Sequence, residues 1–166
     1  MSAIDVLLVM GSDSDLPVVE ECETILKEFG VAFETRVLSA HRTPDEVKEA
    51  VIAAEKNGVK VIVGFAGLAA HLPGVIASFT TLPVIGVPLA ADPLKGVDSL
   101  YAIVQMPAGI PVASMAIGSA GAKNAALFAV SVLATSNSAL AKRLSDYRSA
   151  MRTKVLAKDK AVRARK

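Results

Sequence analysis

The chain has 166 residues, a length that fits one domain with its own hydrophobic core. Its composition is 52% hydrophobic but only 4% aromatic, and its single cysteine, Cys22, excludes an internal disulfide. The net charge of +2 is uneven, because residues 142–166 hold 10 of the 18 basic side chains and only 2 of the 16 acidic ones.

Apolar runs and helical spacing alternate along the chain. The predicted elements, in chain order, are strand Ile4–Met10, helix Asp15–Phe29, strand Val31–Leu38, helix Thr43–Lys56, strand Val59–Phe65, helix Ala69–Thr80, strand Pro83–Val87, helix Gly96–Gln105, strand Ile110–Ala113, helix Ala120–Thr135 and helix Asn137–Ala157. This alternation is typical of a parallel sheet with helices on both faces, so we predict a three-layer α/β fold with a C-terminal helix. We expect one domain over residues 1–157 and a disordered basic tail over residues 158–166.

Two features of the chain could suggest partners other than small molecules. The basic C-terminal segment has one aromatic residue and no Gly-Arg or zinc pattern, so we expect a solvated helix and no nucleic-acid partner. The stretch Val61–Ala91 has no charged side chain, but glycines and prolines interrupt it, and we expect no membrane partner. Its surplus apolar surface is expected to face other subunits. The first residues lack the pattern of a secretory leader, and we expect a cytoplasmic protein.

Three loops follow the first three predicted strands. They are GSDSD (Gly11–Asp15), SAHRTP (Ser39–Pro44) and GFAGLAAHLPG (Gly64–Gly74), and they contain the two histidines of the chain, His41 and His71. In an open parallel sheet, ligands bind outside the carboxyl ends of the strands. The sequence therefore predicts that the three loops meet and form a binding site.

The first loop, GSDSD, has the residue types of a phosphate site. Gly11 permits a tight turn, and the hydroxyls of Ser12 and Ser14 lie beside the free N–H groups of the next helix. Asp13 and Asp15 argue against a bare anion pocket, but Asp15 could accept hydrogen bonds from ribose hydroxyls. The alternative, in which Ser14 or Asp15 only caps the helix, stays open.

The second loop has a helix start directly after its histidine. Thr43 is a good N-cap, Pro44 suits the first helical position, and Glu46 would complete a capping box. These residues would hold His41 and Arg42 outside the helix, facing the cleft. Arginine can bind a phosphate or carboxylate through two hydrogen bonds, and histidine can give or take a proton near neutral pH.

The third loop and a later segment are also rich in small residues. Ala69 and Ala70 would allow the backbone to approach a flat ligand closely, and we expect a structural or orienting role for His71. The segment Gly118–Ala126 is similar to a glycine-rich phosphate turn but lacks a proper motif. We interpret it as a site of helix packing or subunit contact.

Five segments together resemble one family: MGSDSD, SAHRTPD, AAHLPG, GVDSLYAIVQMPAGIPV and AIGSAGAKNAAL. They are similar to the N5-carboxyaminoimidazole ribonucleotide mutases, the class I enzymes of de novo purine biosynthesis, from Val6 to Arg148. The resemblance implies a flavodoxin-like fold and a homo-octamer with active sites at subunit junctions. It also implies a ribonucleotide substrate, no metal and no organic cofactor. These enzymes move a carboxylate from the exocyclic nitrogen to ring carbon C4.

The resemblance also implies roles for individual residues. His41 would be the general acid and base, Asp15 would bind the ribose hydroxyls, and Ser12 and Arg42 would hold the phosphate. The complete set of implied substrate-binding residues is Ser12, Ser14, Asp15, Ser39, Arg42, Ala66, Gly67, Leu68, Ala70, His71 and Leu72.

One residue departs from the family pattern, and two other functions compete with the mutase. Leu68 occupies a position where the family usually has glycine, and its side chain could narrow the pocket or turn away from it. The related class II enzymes carboxylate aminoimidazole ribonucleotide directly, but they tend to have lysine after the motif histidine, so Arg42 favours class I. The other function is that of a flavodoxin-like module that only binds a nucleotide or flavin. This function would leave His41 without a role, and the chain has few aromatic residues that could stack on a flavin.

Overall fold

The computed structural model describes residues 4–165. The strands are β1 (Val6–Met10), β2 (Phe33–Val37), β3 (Val61–Gly67), β4 (Val84–Leu89) and β5 (Ala113–Ser114). The helices are α1 (Leu16–Glu28), α2 (Pro44–Lys56), α3 (Leu72–Ala77), α4 (Val97–Val104), α5 (Ser119–Ala134) and α6 (Ser138–Arg163). Contacts within the chain divide it into two compact units, the first ending at Ala129 and the second beginning at Val130.

The five strands form one parallel sheet in the order β2-β1-β3-β4-β5. This is the flavodoxin-like order, and it confirms the α/β fold predicted from the sequence. Met10 at the end of β1 lies opposite Val37 of β2 and Phe65 of β3. Because these strands reach the same level, the loops that follow them leave the same edge of the sheet.

The core surrounds the central strands. All residues of β1 and β4 are buried, as are the first six of β3, so these strands are apolar on both faces. On α1, the apolar face includes Val19, Cys22 and Leu26, which are fully buried. Burial raises the pKa of the Cys22 thiol to about 12. Cys22 is therefore a buried structural residue.

Two predicted elements begin later in the structure than the sequence predicted. The predicted strand Ile110–Ala113 is wrong before Ala113, because β5 pairs with β4 only through Ala113 and Ser114. Pro111 has no N–H group and cannot donate a sheet hydrogen bond. The predicted helix Ala69–Thr80 is also shorter in the structure, where it corresponds to α3. Before α3 the chain makes a tight turn, in which the N–H of Ala70 donates to the Leu68 carbonyl (2.8 Å).

The last helix is longer than predicted. The expected end was Ala157 with a disordered tail, but α6 continues to Arg163, so residues 158–163 are helical. Lysine, alanine and arginine favour helix, and an ion pair between Asp159 and Arg163 (3.9 Å) adds modest support. Lys166 lies outside the described residues. Among the helices of residues 4–165, none combines the length and apolar character that crossing a membrane requires.

Candidate functional site

The loops after β1, β2 and β3 meet in a cleft of about 470 Å³ at the carboxyl edge of the sheet. A fourth loop, after β4, completes it. The lining residues are Gly11, Ser12, Ser14 and Asp15 from the first loop, Ser39–Arg42 from the second, Ala66–Ala69 and Leu72 from the third, and Leu89–Ala91 from the fourth. The cleft therefore forms where the sequence predicted a binding site.

The lining residues fall into two groups of opposite character. We call Ser12, Ser14, Asp15, Ser39 and Arg42 the polar wall. We call Ala66, Leu68, Leu72, Leu89 and Ala90 the apolar wall. The polar wall comes from the loops after β1 and β2, and the apolar wall comes from the ends of β3 and β4, the residues that follow them and the start of α3.

The first loop is held by reciprocal hydrogen bonds. The Ser12 hydroxyl accepts from the N–H of Ser14 (3.3 Å), and the Asp15 carboxylate accepts from the N–H of Ser12 (3.2 Å). This is a capping box around a short 3-10 turn, Asp13–Asp15, which leads into α1. The Ser14 hydroxyl lies 2.9 Å from that of Ser12. The alternative role was capping of the next helix by Ser14 or Asp15, but Asp15 at the N-cap of α1 makes no side-chain cap bond there. The capping side chains of the 3-10 turn, Ser12 and Asp15, also line the cleft.

The Asp15 carboxyl is the acidic group of the polar wall. Its burial raises its pKa, because the charged form loses contact with water. The N–H of Ser12, the hydroxyl of Ser14 and the charge of Arg42 oppose this shift, while Asp13 adds to it. The carboxylate is therefore a half-buried acceptor next to the cleft, suited to hydroxyl donors.

The second loop closes on itself before α2 begins. The Thr43 hydroxyl accepts from the N–H of Ser39 (2.9 Å) and donates to the Ser39 carbonyl (3.2 Å). Because this hydroxyl is used within the loop, Thr43 makes no side-chain cap bond to α2, and the predicted capping box with Glu46 is wrong. Pro44 does open the helix, as predicted. The closed loop therefore restrains His41 and Arg42, the two residues with ionisable side chains between Ser39 and α2.

Arg42 connects the first and second loops. Its Nη2 donates to the Gly11 carbonyl (2.7 Å), and its Nε donates to the Ser39 hydroxyl (3.3 Å). A guanidinium group has five N–H donors, so these two bonds leave others for an anion. The contacts hold the guanidinium against the cleft in a fixed orientation, which favours recognition of a phosphate or carboxylate.

The two histidines are joined directly. His41 Nε2 lies 2.9 Å from His71 Nδ1, and the rings are nearly perpendicular, with centroids 5.0 Å apart. One of these nitrogens donates and the other accepts, so the contact restrains the orientation of the His41 ring. His41 lines the cleft, whereas His71 and the buried Ala70, both predicted to bind substrate, lie outside its lining. The structure thus places His71 in direct contact with His41.

The third loop contains an unusual backbone conformation. Leu68 has φ = 53°, the left-handed region, which costs a residue with a Cβ atom about 1–2 kcal/mol. Leu68 lines the cleft and is 52% exposed. After it, α3 packs closely on β3, because a Cβ at Gly64 would lie only 3.2 Å from the Pro73 ring.

The fourth loop, Leu89–Ala91, was not among the predicted site residues. Its residues are apolar and have no side-chain chemistry that would attract attention in a sequence. Only the position of this loop could have indicated that it lines the cleft. Because β4 is parallel to β3, the loop after β4 leaves the same edge of the sheet as the loop after β3. Ala40 and Ala69 also line the cleft without having been assigned a side-chain role.

The glycine-rich segment Gly118–Ala126 mostly belongs to α5, and a Cβ at Gly121 would lie 1.7 Å from the Ala116 carbonyl oxygen. This close approach supports the interpretation as helix packing. Within residues 4–165, no group of three or more His, Cys, Asp or Glu side chains is arranged to hold a metal ion.

Comparison with known proteins identifies the family. The family described as AIR carboxylase matches residues 5–154 of this chain. The chain belongs to the AIR carboxylase family. It is therefore an enzyme, and the family predicted from its five motifs is confirmed.

Individual members of the AIR carboxylase family match over most of their length. The N5-carboxyaminoimidazole ribonucleotide mutase of Thermotoga maritima is 50% identical, with 91% of this chain and 87% of that protein covered. The mutase of Pyrococcus horikoshii is 52% identical, with 92% and 85% covered. Among solved structures, Treponema denticola PurE superimposes with a TM-score of 0.85 at 29% identity, covering 93% of this chain and 95% of that one.

Proposed function

We propose that this chain is an N5-carboxyaminoimidazole ribonucleotide mutase of purine biosynthesis. The observation that carries the proposal is the similarity to proteins of that name, which share about half of their residues with this chain over nearly its full length. The cleft supports it, because a phosphorylated ribose and a carboxylated ring need one polar and one apolar surface. The product is 4-carboxy-5-aminoimidazole ribonucleotide, an isomer of the substrate.

The polar wall would bind the ribose phosphate. Arg42 and the hydroxyl of Ser12 hold the phosphate, and Asp15 accepts hydrogen bonds from the ribose hydroxyls. The Arg42 contacts to Gly11 and Ser39 hold the guanidinium in position before the ligand arrives, so less side-chain freedom is lost on binding. Ser14 lies within hydrogen-bond distance of Ser12 and can support its hydroxyl.

His41 would transfer the protons. First the bond between the exocyclic nitrogen and the carboxyl carbon breaks, the electron pair stays on nitrogen, and CO2 is released within the cleft. His41 donates a proton to that nitrogen. Ring carbon C4 then attacks CO2, a carbon–carbon bond forms, and the neutral His41 removes the C4 proton. The proton given in the first half is recovered in the second, so the reaction is a balanced isomerisation that one acid–base group can serve.

The arrangement of the histidines suits this role. The contact between His41 Nε2 and His71 Nδ1 uses one ring nitrogen of His41 and leaves the other for the substrate. His71 acts through His41 as a positioning residue, because it lies outside the lining of the cleft. The apolar wall borders the reacting ring, limits the access of water and keeps CO2 near C4.

The chain is further proposed to form a homo-octamer. One side of α4 and its flanking loops exposes large apolar side chains, with Leu94 57%, Val97 45%, Tyr101 61% and Val104 48% exposed. Val97, Tyr101 and Val104 lie three and four positions apart and therefore share one face of the helix. An apolar face of this kind is typical of a subunit contact. Light scattering tests it, and a monodisperse monomer would contradict it.

A second candidate is direct carboxylation of aminoimidazole ribonucleotide, which the family description AIR carboxylase favours. The two functions differ in substrate, so one assay separates them. Purified full-length protein is supplied either with the carbamate nucleotide or with aminoimidazole ribonucleotide and bicarbonate, in both cases without ATP, metal or biotin. We expect rapid product formation from the carbamate nucleotide. Fast turnover only with the second pair would establish the carboxylase, and no turnover with fresh carbamate nucleotide would reject the mutase.

A further inference from the structure

Thr43 occupies the N-cap position of α2 but does not use its hydroxyl to cap that helix. A threonine at an N-cap ordinarily accepts a hydrogen bond from a backbone N–H of the first helical turn. Here the side chain makes no such bond, and the hydroxyl binds instead to Ser39, four residues earlier. Thr43 is half-buried and lies outside the lining of the cleft. Its hydroxyl therefore serves the loop before α2 and not the helix.

Thr43 holds Ser39 through both backbone groups of that serine. The N–H of Ser39 donates to the Thr43 hydroxyl (2.9 Å). The Ser39 carbonyl accepts from the same hydroxyl (3.2 Å) and from the Thr43 N–H (2.9 Å). One residue earlier, the N–H of Leu38 donates to the Met10 carbonyl (2.8 Å), which ties the end of β2 to β1. The sheet and Thr43 together thus restrain the backbone of Ser39 and the position of its side chain.

The Ser39 hydroxyl in turn orients Arg42. It accepts from the backbone N–H of Arg42 and from its Nε, both at 3.3 Å. Another nitrogen of the same guanidinium, Nη2, donates to the Gly11 carbonyl (2.7 Å). An anion that takes two hydrogen bonds from a guanidinium requires a defined orientation of its plane. Contacts therefore run from Thr43 through Ser39 to the charged group of the polar wall.

We propose that Thr43 is a positioning residue that acts through Ser39 on Arg42 and thereby raises the affinity of the cleft for the phosphate of its ligand. This inference rests on the proposed mutase function, in which Arg42 holds the ribose phosphate. Without the Thr43 hydroxyl, the N–H of Ser39 loses its acceptor and the Ser39 carbonyl loses one of its donors. The Ser39 hydroxyl is then held less firmly, and Arg42 loses more freedom when the phosphate binds.

The test measures how tightly the full-length protein binds the product nucleotide, 4-carboxy-5-aminoimidazole ribonucleotide, by calorimetry. Thr43→Val replaces the hydroxyl with a methyl group, and it should weaken binding about 3- to 10-fold, a part of the roughly 10- to 100-fold loss expected from Arg42→Met. Thr43→Ser keeps the hydroxyl and should bind nearly as tightly as the unmodified protein. In a protein that already carries Arg42→Met, Thr43→Val should add little, because both changes act on the same contact.

Thr24 offers a matched control. Its hydroxyl also donates to a backbone carbonyl four residues earlier, that of Glu20 (2.8 Å), but Thr24 lies on α1 outside the lining of the cleft. Thr24→Val should bind the product like the unmodified protein. Circular dichroism and thermal unfolding establish that each variant is folded. Should Thr43→Val fail to fold, Thr43→Ala removes the same hydroxyl without a branched side chain and should show the same loss of affinity.

The outcomes separate this inference from the proposed function. If the unmodified protein makes no product from the carbamate nucleotide, the mutase itself is rejected. If product forms but Thr43→Val binds the product nucleotide as tightly as threonine does, the positioning role is rejected and the mutase stands. An undiminished loss from Thr43→Val in the protein that carries Arg42→Met would also overturn the proposal, because Thr43 would then not act through Arg42. An equal loss in Thr43→Ser or Thr24→Val would overturn it as well, since the effect would not belong to this hydroxyl.

Discussion

The polar wall and the apolar wall border the same cleft but depend on the fold in different ways. Every member of the polar wall is half-buried or exposed, and its contacts lie within and between two loops. In the apolar wall, Ala66, Leu72 and Leu89 are buried and continue into the core. The chain can therefore change the polar wall with little effect on stability, whereas most changes in the apolar wall alter the fold and the site together.

The largest expected effect on activity comes from His41, which lines the cleft and contacts His71. Asparagine cannot transfer a proton, so His41→Asn should reduce kcat by roughly 10²- to 10⁴-fold. Product affinity, measured by calorimetry, should change little because the polar wall is intact. His71→Asn is the matched control and should keep more activity, since His71 acts only through His41. Near-normal turnover by His41→Asn would remove the proposed acid–base role.

The largest expected effect on stability comes from the buried part of the apolar wall. Leu72→Ala removes a side chain that is 3% exposed and should lower the free energy of unfolding by about 2–5 kcal/mol. Ser14→Ala, in the polar wall, changes an exposed side chain and should stay within about 0.5 kcal/mol. Urea unfolding measures both. Equal effects would mean that the two walls do not differ as described.

Arg42 tests the polar wall for binding. Arg42→Met keeps the length of the side chain but loses its charged hydrogen bonds, each worth about 1.5–3 kcal/mol, so product should bind roughly 10- to 100-fold more weakly. Arg36→Met removes the same charge on β2, outside the lining of the cleft, where Arg36 pairs with Glu34. Calorimetry should find unchanged affinity in that control. A comparable loss in both variants would indicate a general effect of net charge.

The smallest expected effect on stability is that of Asp15, and it depends on pH. Because its pKa is raised in the folded protein, Asp15 favours the folded state most when protonated, and this contribution is lost as pH rises through the folded pKa. Asp15→Asn should therefore unfold slightly less readily than the unmodified protein at neutral pH. The difference should shrink as pH falls toward the ordinary aspartate value, which urea unfolding at several pH values can follow. A difference that grows on acidification would contradict the direction of the shift.

The polar part of the cleft was easier to predict from the sequence than the apolar part. Ser12, Asp15 and Arg42 have recognisable chemistry, and parallel strands bring their loops to one edge. The loop Leu89–Ala91 has no such signal, because apolar residues in a site look like apolar residues in a core. The contact between His41 and His71 depends on ring orientations that spacing does not encode.

The fold itself was largely predictable, because buried parallel strands and amphipathic helices have strong periodicity. The errors occurred where local competition decided the outcome. The Thr43 hydroxyl closed its own loop on Ser39 instead of capping α2. Pro111 delayed β5 to Ala113, and the helix-forming residues after Ala157 extended α6.

The buried Cys22 gives this protein a built-in reporter of breathing motions. With a thiol pKa of about 12 and no exposed surface, Cys22 should react with a thiol reagent at neutral pH only when α1 separates from the sheet. That helix follows directly on the turn that carries Ser12 and Asp15. The labelling rate of this one sulfur atom, with and without nucleotide, therefore measures how strongly an occupied cleft holds the first helix closed.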